Sequence, residues 1–494
     1  MTVNYSSTRG GENHVPASLA ILKGLAADGG LFIPDQIPAL DHSLAEFARM
    51  NYQETAYEIM KLFLTDFTEE ELKSCIAQAY DSKFDTEEIA PLAKADGAYY
   101  LELFHGSTIA FKDMALSILP HLMTVSAKKN RVDHTMVVLT ATSGDTGKAA
   151  MAGFAGVPGT RIIVFYPKGG VSRVQELQML TQKGDNTCVV GISGNFDDAQ
   201  NGVKKIFSDR EFAAELAGRG YQLTSANSIN IGRLVPQIVY YVYAYAKLLE
   251  NGEIEDGEKI NITVPTGNFG NILAAYFAKR MGLPVNRLIC ASNDNRVLYD
   301  FFCTGIYDRR REFILTSSPS MDILISSNLE RLLYLCAGSD ARKTAGLMAE
   351  LAEKGSYTVT PEMKERMKDF AGGFATEEEN AAEIRRLYEE TGYLIDPHTG
   401  VASCVYRKYV KETGDRTKTV IASTASPYKF SRSVMEAIRG SQEGKDEFEL
   451  IDELEKASGV PIPAAVEEIR TAPIRHDRQC SPDQMEAEVS EILR

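Results

Sequence analysis

From about residue 96 onward the chain alternates short, nearly continuous apolar runs with segments of helical length, and this alternation narrows the folds open to it. The runs at 136–141 (MVVLTA), 161–167 (RIIVFYP), 187–192 (TCVVGI), 260–265 (INITVP), 287–292 (RLICAS) and 419–423 (TVIAS) are rich in β-branched residues. Strands buried on both faces have this composition, because neither face needs polar side chains. Between them, residues 171–180, 197–207, 233–250 and 270–281 carry helical patterning. The order predicts an α/β fold of parallel sheets covered by helices. Residues 42–80 instead show apolar residues at helical spacing, among them Leu44, Phe47, Tyr57, Met60 and Phe63, which predicts a mostly helical N-terminal domain over residues 1–95. The block 441–494 is richer in charge and carries Pro461, Pro463 and Pro473, and reads as a helical closure at the periphery.

At 494 residues the chain exceeds one ordinary hydrophobic core. Its 53 Lys and Arg against 68 Asp and Glu give a net charge of -15, which argues against a nucleic-acid or anionic-membrane partner. An anionic ligand would therefore need a local basic site. The seven cysteines form no Cys-x-x-Cys pair, and no histidine cluster has zinc spacing, so neither a metal centre nor a disulfide framework is expected. No basic start followed by an apolar stretch marks a secretory signal. The most apolar long segment, residues 234–249, is broken by Pro236, Gln237 and Lys247 and is too short for a bilayer. A cytoplasmic protein is expected.

In open parallel sheets ligands bind beyond the carboxyl ends of the strands. After residue 141 comes Thr142-Ser143-Gly144-Asp145-Thr146-Gly147-Lys148. It lacks the first glycine and the final Ser or Thr of a nucleotide-hydrolase phosphate loop. What remains is a hydroxyl-rich turn opening a helix, able to hold a carboxylate or phosphate and equally readable as a well-capped helix start. After residue 265 comes Thr266-Gly267-Asn268-Phe269-Gly270-Asn271, where two glycines allow close backbone approach to one compact anion. By itself this is also an ordinary tight turn. Thr424-Ala425-Ser426-Pro427 forms a third hydroxyl-bearing strand end, and residues 226–233 (ANSINIGR) supply polar groups with one guanidinium, Arg233. Its planar fork suits a phosphate.

Lys112 stands within HGSTIAFKDMALSILP, residues 105–120, a stretch otherwise mostly small, hydroxylated or apolar. The plain reading makes Lys112 and Asp113 a solvated first helical turn, since lysine is seldom buried. Two anion pockets, several hydroxyls, a lone lysine and no metal constellation support a different one. A desolvated lysine can be held neutral and act as an amine nucleophile toward an aldehyde. Pyridoxal 5′-phosphate is an aldehyde that carries its own phosphate.

Over nearly its whole length the sequence resembles the threonine synthases of the longer form. The resemblance rests on residues 5–10 (YSSTRG), 28–34 (DGGLFIP), 105–113, 140–147, 166–169 with 174–176, 265–270, 278–284 and 396–399 (DPHT). It implies a two-lobed fold type II pyridoxal-phosphate enzyme, tryptophan synthase β-like, over residues 96–440. A lobe of about residues 130–245 would be inserted into one formed by 96–129 and 246–440. It assigns Lys112 to the imine with the cofactor, and Gly267, Asn268, Phe269, Gly270 and Asn271 to the cofactor phosphate. Thr424 would face the pyridine nitrogen and Asp145 the cofactor ring. Thr108, Ser143, Asp145 and Thr146 would contact the substrate, and Asn227, Ser228, Asn230 and Arg233 would hold its phosphate. Ser107, Asn271, Ser426 and Tyr428 depart from the usual residues of that family. The implied activity converts O-phospho-L-homoserine and water into L-threonine and phosphate by γ-elimination and β-addition of water, as monomer or homodimer. Rival readings are a phospho-lyase or a serine or threonine dehydratase of the same fold, and a non-catalytic sensor of pyridoxal phosphate or a phosphorylated amino acid.

Overall fold

The computed structural model describes residues 2–142 and 144–494. Two parallel sheets dominate it. The larger has six strands in the order Phe370–Phe374, Val285–Ser292, Ile260–Pro265, Thr419–Ser423, Ala98–Glu102 and Leu92–Ala95. All neighbours run parallel except the last pair, which is antiparallel. The smaller, wholly parallel sheet runs Arg478–Cys480, Thr187–Ile192, Thr160–Pro167, Thr135–Ala141, Tyr221–Thr224. Each of the six apolar runs becomes a strand, and nearly every residue in them is buried. The fold is the expected α/β arrangement of parallel sheets under helices.

Sequence patterning did not single out the strands Tyr221–Thr224, Ala98–Glu102 and Phe370–Phe374. The last reads FAGGF, a composition that disfavours strands. Its glycines answer to packing, since a Cβ on Gly373 would lie 2.4 Å from Cγ1 of Val405. That close approach lets helix Pro397–Thr413 lie against the sheet edge. The block 441–494 also departs from a purely helical closure. Besides helices Glu447–Ser458, Ala464–Thr471 and Met485–Ile492 it contributes the strand Arg478–Cys480, which extends the smaller sheet beside Thr187–Ile192.

In the N-terminal segment the helical pattern of residues 42–80 resolves into three helices, Leu44–Phe47, Tyr52–Phe63 and Glu69–Ala79. Ser43, Asn51 and Thr68 break it, each forming a reciprocal capping box with the glutamate three residues on. These helices pack on the long central helix Ile231–Glu250 through Tyr52, Tyr80 and Tyr243, whose rings meet edge to face. Arg331, fully buried, ties the segment to the rest: its guanidinium donates to the carbonyls of Phe32 (2.9 Å) and Ile229 (2.6 Å) and to Oδ1 of Asn328. Among the described residues no helix is long and apolar enough to cross a membrane.

Candidate active site

Three adjacent strands of the larger sheet end at one place. Thr419–Ser423 lies between Ala98–Glu102, which leads toward Lys112, and Ile260–Pro265, which leads into the glycine turn. Backbone bonds lace the loops together: Phe111 N–H donates to Thr424 O at 2.8 Å and Ser426 N–H to Ile109 O at 3.0 Å. Ile109 has a φ of 51°, an unfavourable conformation for a β-branched residue that persists only where surroundings impose it. The strain sits three residues before the lysine.

Lys112 is only 8% exposed. Its ammonium donates to Ser320 Oγ at 2.9 Å, lies 3.6 Å from Asp145 Oδ2, and rests over the Phe111 ring. Burial lowers its pKa, Lys429 and Arg233 lower it further, and Asp145 opposes them. The solvated-turn reading is thereby excluded. Asp145 comes from the other sheet, at the start of helix Asp145–Phe154, so its approach to Lys112 brings the carboxyl ends of both sheets together. Burial resists its ionisation, but Lys429, Lys112, His398 and a bond from Gln175 (2.9 Å) together hold its carboxyl well below the usual range. Gly144, with φ of 130°, opens this turn against Gln175: a Cβ there would lie 2.5 Å from the amide carbon. Thr142 Oγ1 accepts from the amides of Gly144 (3.0 Å) and Gly147 (2.9 Å). Thr146 is half-buried in the first turn. Ser143 lies outside the described residues.

Beyond Ile260–Pro265 the backbone turns through Phe269, in the left-handed region with φ of 65°. The helix Gly270–Met281 follows with no side chain capping its first turn, so its leading amides remain available for an anion. Gly267 is pressed on the segment Pro319–Met321, since a Cβ would lie 2.4 Å from Ser320 O. The Asn268 carbonyl accepts from Asn328 N–H and Nδ2, both at 3.0 Å, and Ser326 Oγ donates to Gly267 O at 2.6 Å. Asn271 accepts from the Tyr241 hydroxyl, while its Nδ2 is buried without a partner among the described residues.

The residues expected at a substrate phosphate separate into two groups. Arg233 is 4% exposed, donates to Ala226 O (3.0 Å), and has its Nε buried with no partner among the described residues. Among the described residues it forms no ion pair, and burial lowers its pKa to about 10. A buried guanidinium with no carboxylate calls for an anionic ligand. Asn227 is exposed and accepts from Ser228 Oγ (3.2 Å). Asn230 is occupied otherwise: its Nδ2 donates to Ile21 O and its Oδ1 accepts from Gly232 N–H, both at 2.9 Å. It fixes the helix start against the N-terminal segment. Thr108 likewise bonds Asp113 through its amide (2.7 Å) and hydroxyl (2.6 Å).

Two groups, Ser320 and Lys429, went unread in the sequence, and His398 stood only inside the motif 396–399 with no role assigned. Ser320 Oγ lies between Lys112 and Asp145 Oδ2 (3.3 Å), and its amide donates to His398 Nε2 at 3.2 Å. The opposite ring nitrogen of His398 is 2.7 Å from Asp396. Lys429 is fully buried and lies 3.3 Å from Asp145 Oδ1. Thr424 is buried, with its amide donating to Thr399 Oγ1 at 3.3 Å. Among the described residues one cluster could present metal ligands, Asp41, His42 and Glu58. It belongs to the N-terminal segment, where Lys61 already pairs with both carboxylates.

A desolvated lysine among polar strand ends, an uncapped glycine turn and buried polar donors without acceptors are what a phosphate-bearing aldehyde requires. The class so defined is that of the pyridoxal-phosphate-dependent enzymes, whose family model matches residues 86–425. Models described as threonine synthase N terminus and threonine synthase, C-terminal match residues 4–80 and 399–472. The chain belongs to the threonine synthase family. It is 38% identical to threonine synthase of Schizosaccharomyces pombe, covering 87% of this chain and 88% of that one. It is 36% identical to the Saccharomyces cerevisiae threonine synthase, covering 92% and 93%. A crystal structure of pyridoxal-phosphate-bound threonine synthase from Brucella melitensis superposes with a TM-score of 0.89 at 34% identity, covering all of both chains.

Proposed function

We infer that the protein converts O-phospho-L-homoserine and water into L-threonine and inorganic phosphate. The observation that carries this reading is Arg233, a buried guanidinium without a carboxylate partner among the described residues, close enough to influence Lys112. It provides for a second anion, distinct from one held at the glycine turn.

The residues present fit pyridoxal phosphate. Lys112 would hold it covalently, the turn Gly267 to Asn271 would take its phosphate, and Thr424 and Asp145 would lie along its ring. When bound, it supplies an electron sink for carbanions next to the substrate's amine-bearing carbon. Lys112 Nζ then moves protons at the substrate Cα, with Asp145 and Ser320 fixing the position of that nitrogen. Arg233 binds the substrate phosphate and stabilises the charge that grows as the phosphate leaves Cγ. Thr146 and the helix start beside it offer donors to the substrate carboxylate, a task that Ser143 would share. Asn227 and Ser228 would rim the phosphate pocket. The reading includes a cytoplasmic setting and a small-molecule substrate, with neither nucleic acid nor membrane as partner, in keeping with the net charge of -15.

Incubation of the cofactor-loaded protein with phosphohomoserine is the decisive experiment, with the organic product identified by chromatography. Threonine and phosphate in equal amounts support the reading. Release of 2-oxobutyrate and ammonia would instead identify a phospho-lyase, and no phosphate release a sensor. Lys112→Ala is expected to give neither threonine nor the absorbance change that accompanies cofactor attachment.

A further inference from the structure

Lys429 lies in the short turn Pro427–Phe430 that follows Thr424, and its side chain is 0% exposed. Its ammonium donates to Thr108 O at 2.8 Å and to Gln178 Oε1 at 3.4 Å. Its third neighbour is Asp145, and there the arrangement becomes informative. The Asp145 carboxylate faces Lys429 and Gln175 with Oδ1, at 3.3 and 2.9 Å, and Lys112 and Ser320 with Oδ2, at 3.6 and 3.3 Å. One carboxylate is thus shared by two buried ammonium groups.

This sharing matters because a lysine attacks an aldehyde only as the neutral amine: its lone pair forms the C–N bond and one water leaves. An ammonium must first give up a proton. Burial favours the neutral amine at Lys112, but the Asp145 carboxylate beside it opposes that by favouring the ammonium. A second cation on the far oxygen divides that attraction and adds repulsion. We propose that Lys429 is the positioning residue that makes Lys112 reactive, holding Asp145 by Oδ1 and supplying the positive charge that allows Lys112 to exist as a free amine beside an ionised carboxylate.

The other charged groups act in the same direction or too weakly to reverse it. Arg233 adds repulsion at Lys112, and His398 shares in stabilising Asp145. Behind Lys429 lie Asp113, whose pKa burial raises, and Lys148, brought down to about 8 by burial and by Lys429 itself. Tyr428, buried with its hydroxyl on Val460 O, and Ser426, whose Oγ accepts from Tyr428 N–H at 3.3 Å, fix the turn that presents Lys429.

The proposal rests on Lys112 being the lysine that takes the cofactor. Its test is the pH dependence of the rate at which pyridoxal phosphate condenses with the apoprotein, followed by absorbance, with the modified lysine located by borohydride reduction and peptide mapping. Lys429→Met is expected to move the midpoint of that profile upward by about one pH unit, slowing condensation about tenfold at neutral pH and leaving the alkaline plateau in place. Lys429→Arg keeps the charge and should restore the midpoint. Asp145→Asn should shift it the opposite way, which keeps the proposal falsifiable if Lys429→Met does not fold. An unmoved midpoint in Lys429→Met or Asp145→Asn, or equal shifts in the Met and Arg variants, overturns the role of Lys429. So would a change confined to the KM for phosphohomoserine. A pyridoxyl label on another lysine overturns the assignment of Lys112 instead.

Discussion

Gly267→Ala isolates the steric demand of the glycine turn. The new methyl group would lie 2.4 Å from Ser320 O and 3.3 Å from Met321 Cα, both backbone atoms, so no side chain can swing aside. Overpacking of this kind costs about 1 to 3 kcal/mol. It is relieved only by moving the turn or the segment Pro319–Met321, which carries the hydroxyl bound to Lys112. If the cost falls on the bound state, cofactor affinity drops by roughly fivefold to somewhat over a hundredfold. Titration of the apoprotein with pyridoxal phosphate, read by absorbance, measures that loss, and thermal melting of the apoprotein measures the part borne by the fold. Gly270→Ala serves as the stability control. Its Cβ would meet only the side-chain amides of Asn328 and Gln237 at 3.5 and 3.8 Å, so the apoprotein should melt as wild type does. Wild-type cofactor affinity together with a wild-type melting temperature in Gly267→Ala would refute the packing described at this turn.

Arg233→Met should raise the KM for phosphohomoserine far more than it weakens the cofactor, while leaving apoprotein stability unchanged or slightly improved, because a buried unpaired charge is removed; steady-state kinetics and melting curves decide both. Arg331→Met should behave differently. It strands the carbonyls of Phe32 and Ile229, costing about 2 to 5 kcal/mol, and urea unfolding should register the loss. His105 offers a pH test. Burial opposes its protonation, but Asp85 at 2.6 Å and Glu102 at 3.0 Å raise its pKa to about 9. With the folded value above the ordinary one near 6.5, its stabilisation is complete below about pH 6.5 and disappears as pH rises through about 9. The difference in urea midpoint between wild type and His105→Gln should therefore be largest near pH 6 and vanish by pH 10.

The parallel sheets were legible because strands covered on both faces need unbroken apolar runs, and six such runs announce themselves. FAGGF was not, because Gly373 is dictated by Val405 and Gly372 faces Phe302 and Tyr299, demands from other helices that local composition does not carry. The site divides in the same way. Lys112, the hydroxyl turn and the glycine turn follow strand ends, and motifs in order mark them. Ser320 and Lys429 reach Asp145 across long stretches of sequence, so no spacing rule brings them together. Asn230 shows the converse: its neighbours in sequence suggest a ligand contact, yet its amide joins Ile21 to Gly232.

The strand Arg478–Cys480 covers the edge of Thr187–Ile192, and helix Met485–Ile492 buries Met485 and Val489 beside it. Every other strand of that sheet precedes Ile231 in the sequence, whereas this one follows the entire larger sheet. During synthesis the smaller sheet must therefore wait, with one row of peptide groups unpaired and open to wrong partners. Until residues 478–480 emerge, that border stays free to recruit the same border of another unfinished copy.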